Sequence, residues 1–348
     1  MLADRLDYVI GVDTHRDRHA LAVIRGRDGA RLVEGETGAD EAGYAQALAL
    51  AREHAPGRRA WALEGTGSYG KGLARLLEHH GELVCEVERP RRDGRGGRLK
   101  SDPLDALRAA RTLLAEQRLA TPRSGGRREA LRCLLVTREG AVSARRAALN
   151  QLRALLVGCP EPLRGELRAL TRARLLRRLV GSRPGRHRDP ELAGTLLALQ
   201  LLARRIQALT REERTLQRQI RPLVDELAPR LLEERGVGPI SAAEILVAWS
   251  HPGRLRSEAA FARLAGAAPI PASSGQIVRH RLDRGGDRKL NRALHQIIVS
   301  RRRHHPPTIA YIERRTRDGK SEREAVRCLK RYLARHLYRQ LEATPVAA

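Results

Sequence analysis

The stretch YVIGVDTHRDRHALAVIRGRDGARLVEGET, residues 8–37, fixes what kind of sheet this chain builds. It holds three short apolar or alternating runs, at 8–13, 19–24 and 31–37, parted by turn formers such as Arg27-Asp28-Gly29. Such runs bounded by turn residues predict strands, and three in succession predict an antiparallel meander. Past residue 37 the pattern becomes an alternation: helical spacing over 40–54, a strand at 59–64, a helix over 69–80, a strand at 83–87, a basic loop, and a helix from Asp102.

The order βββαβαβα is that of a ribonuclease-H-like α/β domain, a mixed sheet whose first three strands are antiparallel and whose later strands are crossovers. We assign it residues 1–120. Residues 121–230 read as a helical coiled-coil arm. Leu135, Val142, Leu149 and Leu156 recur every seven residues, and a second series runs Leu199, Leu202, Ile206, Leu209, Leu216, Ile220, Leu223, Leu227. That 3-4 spacing makes a coiled-coil seam, which Glu213 interrupts. Between the series lies a Pro- and Arg-rich segment with short helical pieces, and Asp189-Pro190-Glu191 has the form of an N-cap followed by proline in the first turn. The arm is either a dimerising element or a helical hairpin packed on its own domain. Residues 231–348 form a mostly α-helical C-terminal domain.

Lys+Arg number 67 against 40 Asp+Glu in 348 residues, a formal net charge of +27. A balance so basic fits a polyanionic partner, nucleic acid first among them. Nearly all the cations are arginine, the lysines being Lys71, Lys100, Lys289, Lys320 and Lys330. Guanidinium forks suit phosphate and guanine. One Phe, two Trp and six Tyr leave little for base-stacking platforms of the single-strand binders. Cys85, Cys133, Cys159 and Cys328 are far apart with no C-x-x-C, so neither a zinc knuckle nor a disulfide framework is indicated. No secretion signal or membrane span is legible, which gives the expectation of a cytoplasmic, nucleoid-associated protein with reduced thiols.

Acidic residues stand out against this background. The first strand ends IGVD, with Asp13 at its tip, and the fourth ends ALEGTGSYG, with Glu64 at its tip. In KSDPLDALRAA, Asp102 and Asp105 are three apart at the start of a helix and share one face. Each has an ordinary explanation, since carboxylates suit helix starts and strand-end turns. Together, on tips that the inferred topology makes neighbours, four carboxylates call for a divalent cation. Oxygen donors select Mg²⁺, with Mn²⁺ as a substitute, and two such ions clamp the attacking and leaving oxygens of a phosphodiester. Toward the C-terminus, ERGVGPISAAEIL has a G-x-G-P turn, Gly236 to Pro239, of helix-hairpin-helix form, whose amides suit a DNA phosphate. Then Ser273-Ser274-Gly275 occupies a Pro/Gly-bounded loop followed by Arg279, Arg281 and Arg284. A serine flanked by cations is a nucleophile for phosphorus when activated.

VDTHRDRHALAV, ALEGTGSYG and KSDPLDALRAA resemble the motifs of the DEDD-type transposases of bacterial insertion sequences, described as bridge-RNA-guided serine recombinases. GVGPISAAEILVAW, LRSEAAFARLAGAAPIPASSG, HRLDRGGDRKLNRAL and DGKSEREAVRCLKRYLARHLY resemble the C-terminal transposase domain of that family. The resemblance implies a RuvC-like domain with Asp13, Glu64, Asp102 and Asp105 as the catalytic, metal-holding acids, and a serine nucleophile that links covalently to DNA. It also implies a homo-oligomer, dimer to tetramer, that holds donor and target duplex DNA and a structured guide RNA, with base pairing choosing the sites. Of the adjacent serines, Ser274 is favoured because Gly275 leaves it less crowded. Arg284 stands where relatives often carry lysine. A metal-dependent RuvC-like junction nuclease, with water as nucleophile, is the alternative, and a binding protein with decayed catalysis a third reading.

Overall fold

The computed structural model describes residues 5–87, 102–116, 120–161, 163–272, 280–281, 283 and 285–343; within these, the side chains of Asp102 and His280 are not described. The chain divides into two compact units, Met1–Ser124 with Gly253–Leu255, and Gly125–Pro252 with Arg256–Ala348.

The first unit is a mixed α/β sheet. Its strands are β1 (Tyr8–Thr14), β2 (Arg18–Arg25), β3 (Arg31–Gly38), β4 (Arg59–Glu64) and β5 (Leu83–Val87), in the order β3-β2-β1-β4-β5. β1 pairs antiparallel with β2 and β2 with β3, whereas β4 runs parallel to β1 and to β5. The meander and both crossovers are therefore as expected from residues 8–87. Central strands covered on both faces read as unbroken apolar runs, and β1 and β2 are buried nearly throughout. β3 is the exposed edge, and its Arg31, Glu34 and Glu36 put charge where an open edge would otherwise invite pairing.

Alternation along the strands sorts the core into two faces. Ile10, Val12, Leu21, Val23, Trp61 and Leu63 pack under α1 (Glu41–His54) and α2 (Lys71–His79). Val9, Ala20, Ala22, Ala60 and Ala62 pack under α3 (Asp102–Ala115) through Ala106, Ala109, Ala110 and Leu113. The alanines are small because α3 comes very close. A Cβ on Gly11 would overlap the carbonyl of Ala106 and lie 2.8 Å from the amide nitrogen of Ala110.

The second unit is mostly helical. Its long helices are α4 (Gly126–Val157) and α7 (Pro190–Leu227), with the short α5 (Leu163–Arg168) and α6 (Arg172–Val180) between them. Asp189 caps α7 by accepting from the Glu191 amide at 3.0 Å, with Pro190 in the first turn, as its sequence predicts. α4 and α7 run antiparallel, since Arg127 reaches Glu226 and Arg145 reaches Glu213. On α7 the buried heptad is Leu199, Ile206, Glu213, Ile220. Glu213 thus holds a seam position, and it is satisfied there by Arg138 at 2.9 Å and Arg145 at 2.7 Å from α4. The hairpin packs on its own chain.

After α8 (Pro229–Glu233) come α9 (Pro239–Trp249), α10 (Glu258–Leu264), the two-residue strands β6 (Ile270–Pro271) and β7 (His280–Arg281), then α11 (Arg288–His304), α12 (Pro306–Arg317) and α13 (Glu322–Glu342). Ile270 pairs with Arg281 and Pro271 with His280. Asp287 caps α11, and its amide donates to the Leu264 carbonyl, while Asn291 Nδ2 donates to Ala265 O, so α10 and α11 flank this small ladder. No helix among the described residues is long and apolar enough to cross a membrane. All four cysteines are free.

Candidate active site

The two faces of the sheet explain where the strand-end acids go. Val9, Gly11 and Asp13 share the α3 face of β1, as Ala60, Ala62 and Glu64 share that of β4. The parallel register pairs Val12 with Leu63, so its next step sets Asp13 beside Glu64. Both are nearly buried, Asp13 4 % and Glu64 5 % exposed. Adjacent strands lie only about 4.8 Å apart, and two carboxylates at that spacing in a dry setting need cationic or hydrogen-bonding company.

Neighbouring side chains supply part of that company. His15 Nε2 lies 3.1 Å from Asp13 Oδ2. Thr14, buried on the opposite face of β1, donates its hydroxyl to the Glu64 carbonyl at 2.9 Å and so ties the two strand tips together. The chain then turns through Gly65, whose φ of +64° only glycine adopts without strain. Ser68 N–H and Gly70 N–H both donate to the Gly65 carbonyl, closing the loop before α2. Within that loop Thr66 is 4 % exposed, and its hydroxyl has no hydrogen-bond partner among the described residues. Buried hydroxyls are almost always paired. An unpaired one, two residues beyond Glu64, suits an oxygen ligand or a metal-held water.

Asp105 lies on α3 immediately before Ala106, the residue whose carbonyl abuts Gly11, two positions from Asp13 along β1. Its Oδ1 accepts from Arg108 Nη1 at 2.6 Å. Asp102 begins α3 four residues before Ala106, and Asp105 four before Ala109, so both positions extend the helix's core-facing stripe toward its N-terminus. Among the described residues no three His, Cys, Asp or Glu side chains form a metal-binding group. The side chain of Asp102 lies outside the described residues. Hard oxygens on Asp13 and Glu64 fit Mg²⁺ or Mn²⁺ and do not fit a thiophilic metal.

Ser273, Ser274, Arg279 and Arg284 lie outside the described residues, and Arg281 is exposed on β7. Gly236 has φ +84° and would meet the Ile297 carbonyl at 3.1 Å if it carried a Cβ, so it is fixed by packing against α11. Gly238 is the N-cap of α9 and faces open space. His15, Thr14 and Thr66 are site neighbours that the sequence reading misses. Thr14 and His15 follow Asp13 directly in VDTHRD, and Thr66 sits in EGTGSYG, so adjacency to the acids is their only signal.

Parts of the chain are similar to known proteins. One family model, a DEDD transposase model of IS110 type, matches residues 10–160, and a second, the transposase IS116/IS110/IS902 family, matches residues 228–313. A curated relative, the insertion element IS110 uncharacterized 43.6 kDa protein of Streptomyces coelicolor, is 31% identical over 137 residues. The alignment covers 38% of this chain and 34% of that protein, so the chain spans about a third of the relative's length. The sheet and the two matches are those of the DEDD-type insertion-sequence transposase family. Within that class the chain belongs to the IS110-type family.

Proposed function

We propose that the protein is a transposase that cuts and rejoins DNA at a cation site formed by Asp13, Glu64, Asp102 and Asp105 on a ribonuclease-H-like sheet. The observation that carries this reading is the pairing of two buried carboxylates, Asp13 and Glu64, at neighbouring tips of parallel strands on the face covered by α3. A bound divalent cation would supply charge for the phosphate oxygens and a lowered pKa for an attacking hydroxyl. The chain's own part is to hold the carboxylates rigidly on β1 and β4, to fix the β4 tip through Thr14, and to present the α3 acids from one stripe.

The covalent step belongs to the segment between β6 and β7. In this reading the Ser274 oxygen bonds to phosphorus as the bond from phosphorus to the sugar oxygen breaks, and the proton lost by the serine ends on that departing oxygen as a free hydroxyl. A second strand's hydroxyl then reverses the attack and frees the serine. Arg281, with Arg279 and Arg284, would neutralise the phosphate. Gly236 and Gly238 belong to a helix-hairpin-helix-like backbone contact. By family resemblance, a structured guide RNA selects donor and target, and a dimer or tetramer of this chain holds the two duplexes; the protein works at the nucleoid in the cytoplasm.

The test is incubation with Mg²⁺, element-derived RNA and end-labelled donor and target DNA, followed by denaturing electrophoresis. A protein–DNA adduct lost in Ser274→Ala and in Asp13→Ala supports the reading. Free cleaved ends that survive Ser274→Ala but vanish in Asp13→Ala replace it with the water-using nuclease.

A further inference from the structure

On α7, Arg211, Arg214, Arg218 and Arg221 recur at intervals of three, four and three residues, the spacing of a single helix face, and all four are exposed. They line an open groove of about 1260 Å³ whose other wall is Pro239 and Ile240, at the start of α9. The row and the G-x-G-P turn are far apart in sequence, and only the fold brings them to one groove.

The acids near the row do not cancel it. Glu226 is taken by Arg127 at 2.7 Å, and Asp225 stands 3.7 Å from Arg221. Glu213 is turned inward to Arg138 and Arg145, and Glu212 does not line the groove. Arg218 Nη2 donates only to Thr215 Oγ1 at 3.2 Å, and no ion pair to Arg211, Arg214 or Arg218 is found among the described residues. Three guanidinium groups with no acid partner among those residues, held in line on a 38-residue helix, form a fixed positive track.

We propose that this groove holds the sugar-phosphate backbone of duplex DNA. The eleven residues from Arg211 to Arg221 span about 15 Å of helix, room for roughly four phosphates at about 3.4 Å of axis per phosphate on one strand. A straight, evenly spaced row matches a regular duplex better than a folded single strand. Among the described residues no aromatic lines the groove, which sets it apart from the stacking surfaces of single-strand sites. Ile240, in the first turn of α9, lines the groove, and the leading amides of a helix have no partner within it. The proposal rests on the reading of the chain as a DNA-acting enzyme, and it assigns the arm helix a substrate-holding role that its heptads do not announce.

The experiment uses the full chain and a 30-base-pair duplex, with affinity measured from about 50 to 300 mM KCl. The triple variant Arg211→Gln/Arg214→Gln/Arg218→Gln is compared with Arg172→Gln/Arg174→Gln/Arg177→Gln on α6, which removes the same charge elsewhere. Circular dichroism and melting check that both fold. The α7 triple is expected to lower affinity at least tenfold near 100 mM salt. It should also make the slope of log K against log salt shallower by about 2 to 3, at roughly 0.9 for each phosphate no longer neutralised. The α6 triple should change affinity less than about threefold.

Equal losses in both triples would reduce the groove to bulk charge and overturn the proposal, as would an unchanged slope. A loss confined to an RNA hairpin, with duplex DNA unaffected, would overturn it in favour of an RNA site. Failure of the carboxylate reading would show separately, as Asp13→Asn retaining cleavage while the duplex-binding result stands.

Discussion

Asp13 and Glu64 are almost as buried as the valine and leucine that precede them, and that is why they matter at the scale of single residues. A carboxylate deep in a sheet is expensive unless something compensates it. Thr66, two residues beyond Glu64, adds a buried hydroxyl that has no hydrogen-bond partner among the described residues. Thr66→Val keeps the shape and removes that group. It should leave the melting temperature of the metal-free protein unchanged or raise it by about 3 °C, because an unsatisfied buried hydroxyl costs roughly 1 kcal/mol, while cleavage falls at least tenfold. A melting point lowered by several degrees would mean that the hydroxyl has a structural partner.

His19 gives a pH prediction. It is fully buried and stacked on Tyr44 at 5.7 Å, and burial pushes its pKa below the ordinary 6.5, against the opposing pull of the Arg18 carbonyl. The unfolded chain then binds the proton more readily, so stability is lost as pH falls through and below about 6.5. Urea midpoints taken from pH 7.5 to 5 should drop, and His19→Gln should flatten that drop. The strand-end acids were legible because IGVD and ALEG end apolar runs. His19 read only as the first residue of a strand, since its burial depends on Tyr44 arriving from α1.

Elements carry the acids into place. Gly11 is the point where α3 touches β1, and Gly11→Ala would force α3 off the sheet. We expect a loss of about 1 to 3 kcal/mol in stability, the usual range for overpacking. Cleavage should fall further than stability alone explains, because Asp102 and Asp105 ride on that helix; a variant with normal activity would show that α3 does not set the site. Glu213 tests the helical hairpin. Glu213→Ala leaves Arg138 and Arg145 facing each other without their acid, and should cost about 3 kcal/mol in denaturant unfolding. A change under about 0.5 kcal/mol, the scale of ordinary surface substitutions, would assign the ion pairs no structural weight. Strand positions were readable to within a residue or so because the alternation from Tyr8 to Val87 is dense. The seam was read less well. Glu213 interrupts the apolar series in sequence, yet it sits in the buried heptad, because the arginines that satisfy it lie about seventy residues away.

At the scale of the whole molecule, a net charge of +27 announces a polyanion without saying where it lies. Composition could not reveal the α7 groove, since sixty-odd arginines offer many rows and only tertiary structure shows which one borders the start of α9. The family was legible because its motifs fall at both ends of the chain, and the two matched segments, 10–160 and 228–313, lie either side of the second arm helix. Everything proposed for the chemistry depends on the carboxylates of the first unit forming a cation site. Mn²⁺ titration followed by electron paramagnetic resonance reads that site without relying on turnover. It is done on the full chain bound to duplex DNA, beside Asp13→Asn and Glu64→Gln at equal DNA occupancy. Bound Mn²⁺ is expected in the wild type, with at least a tenfold weaker site in each variant. Unchanged Mn²⁺ binding in both variants would contradict the assignment.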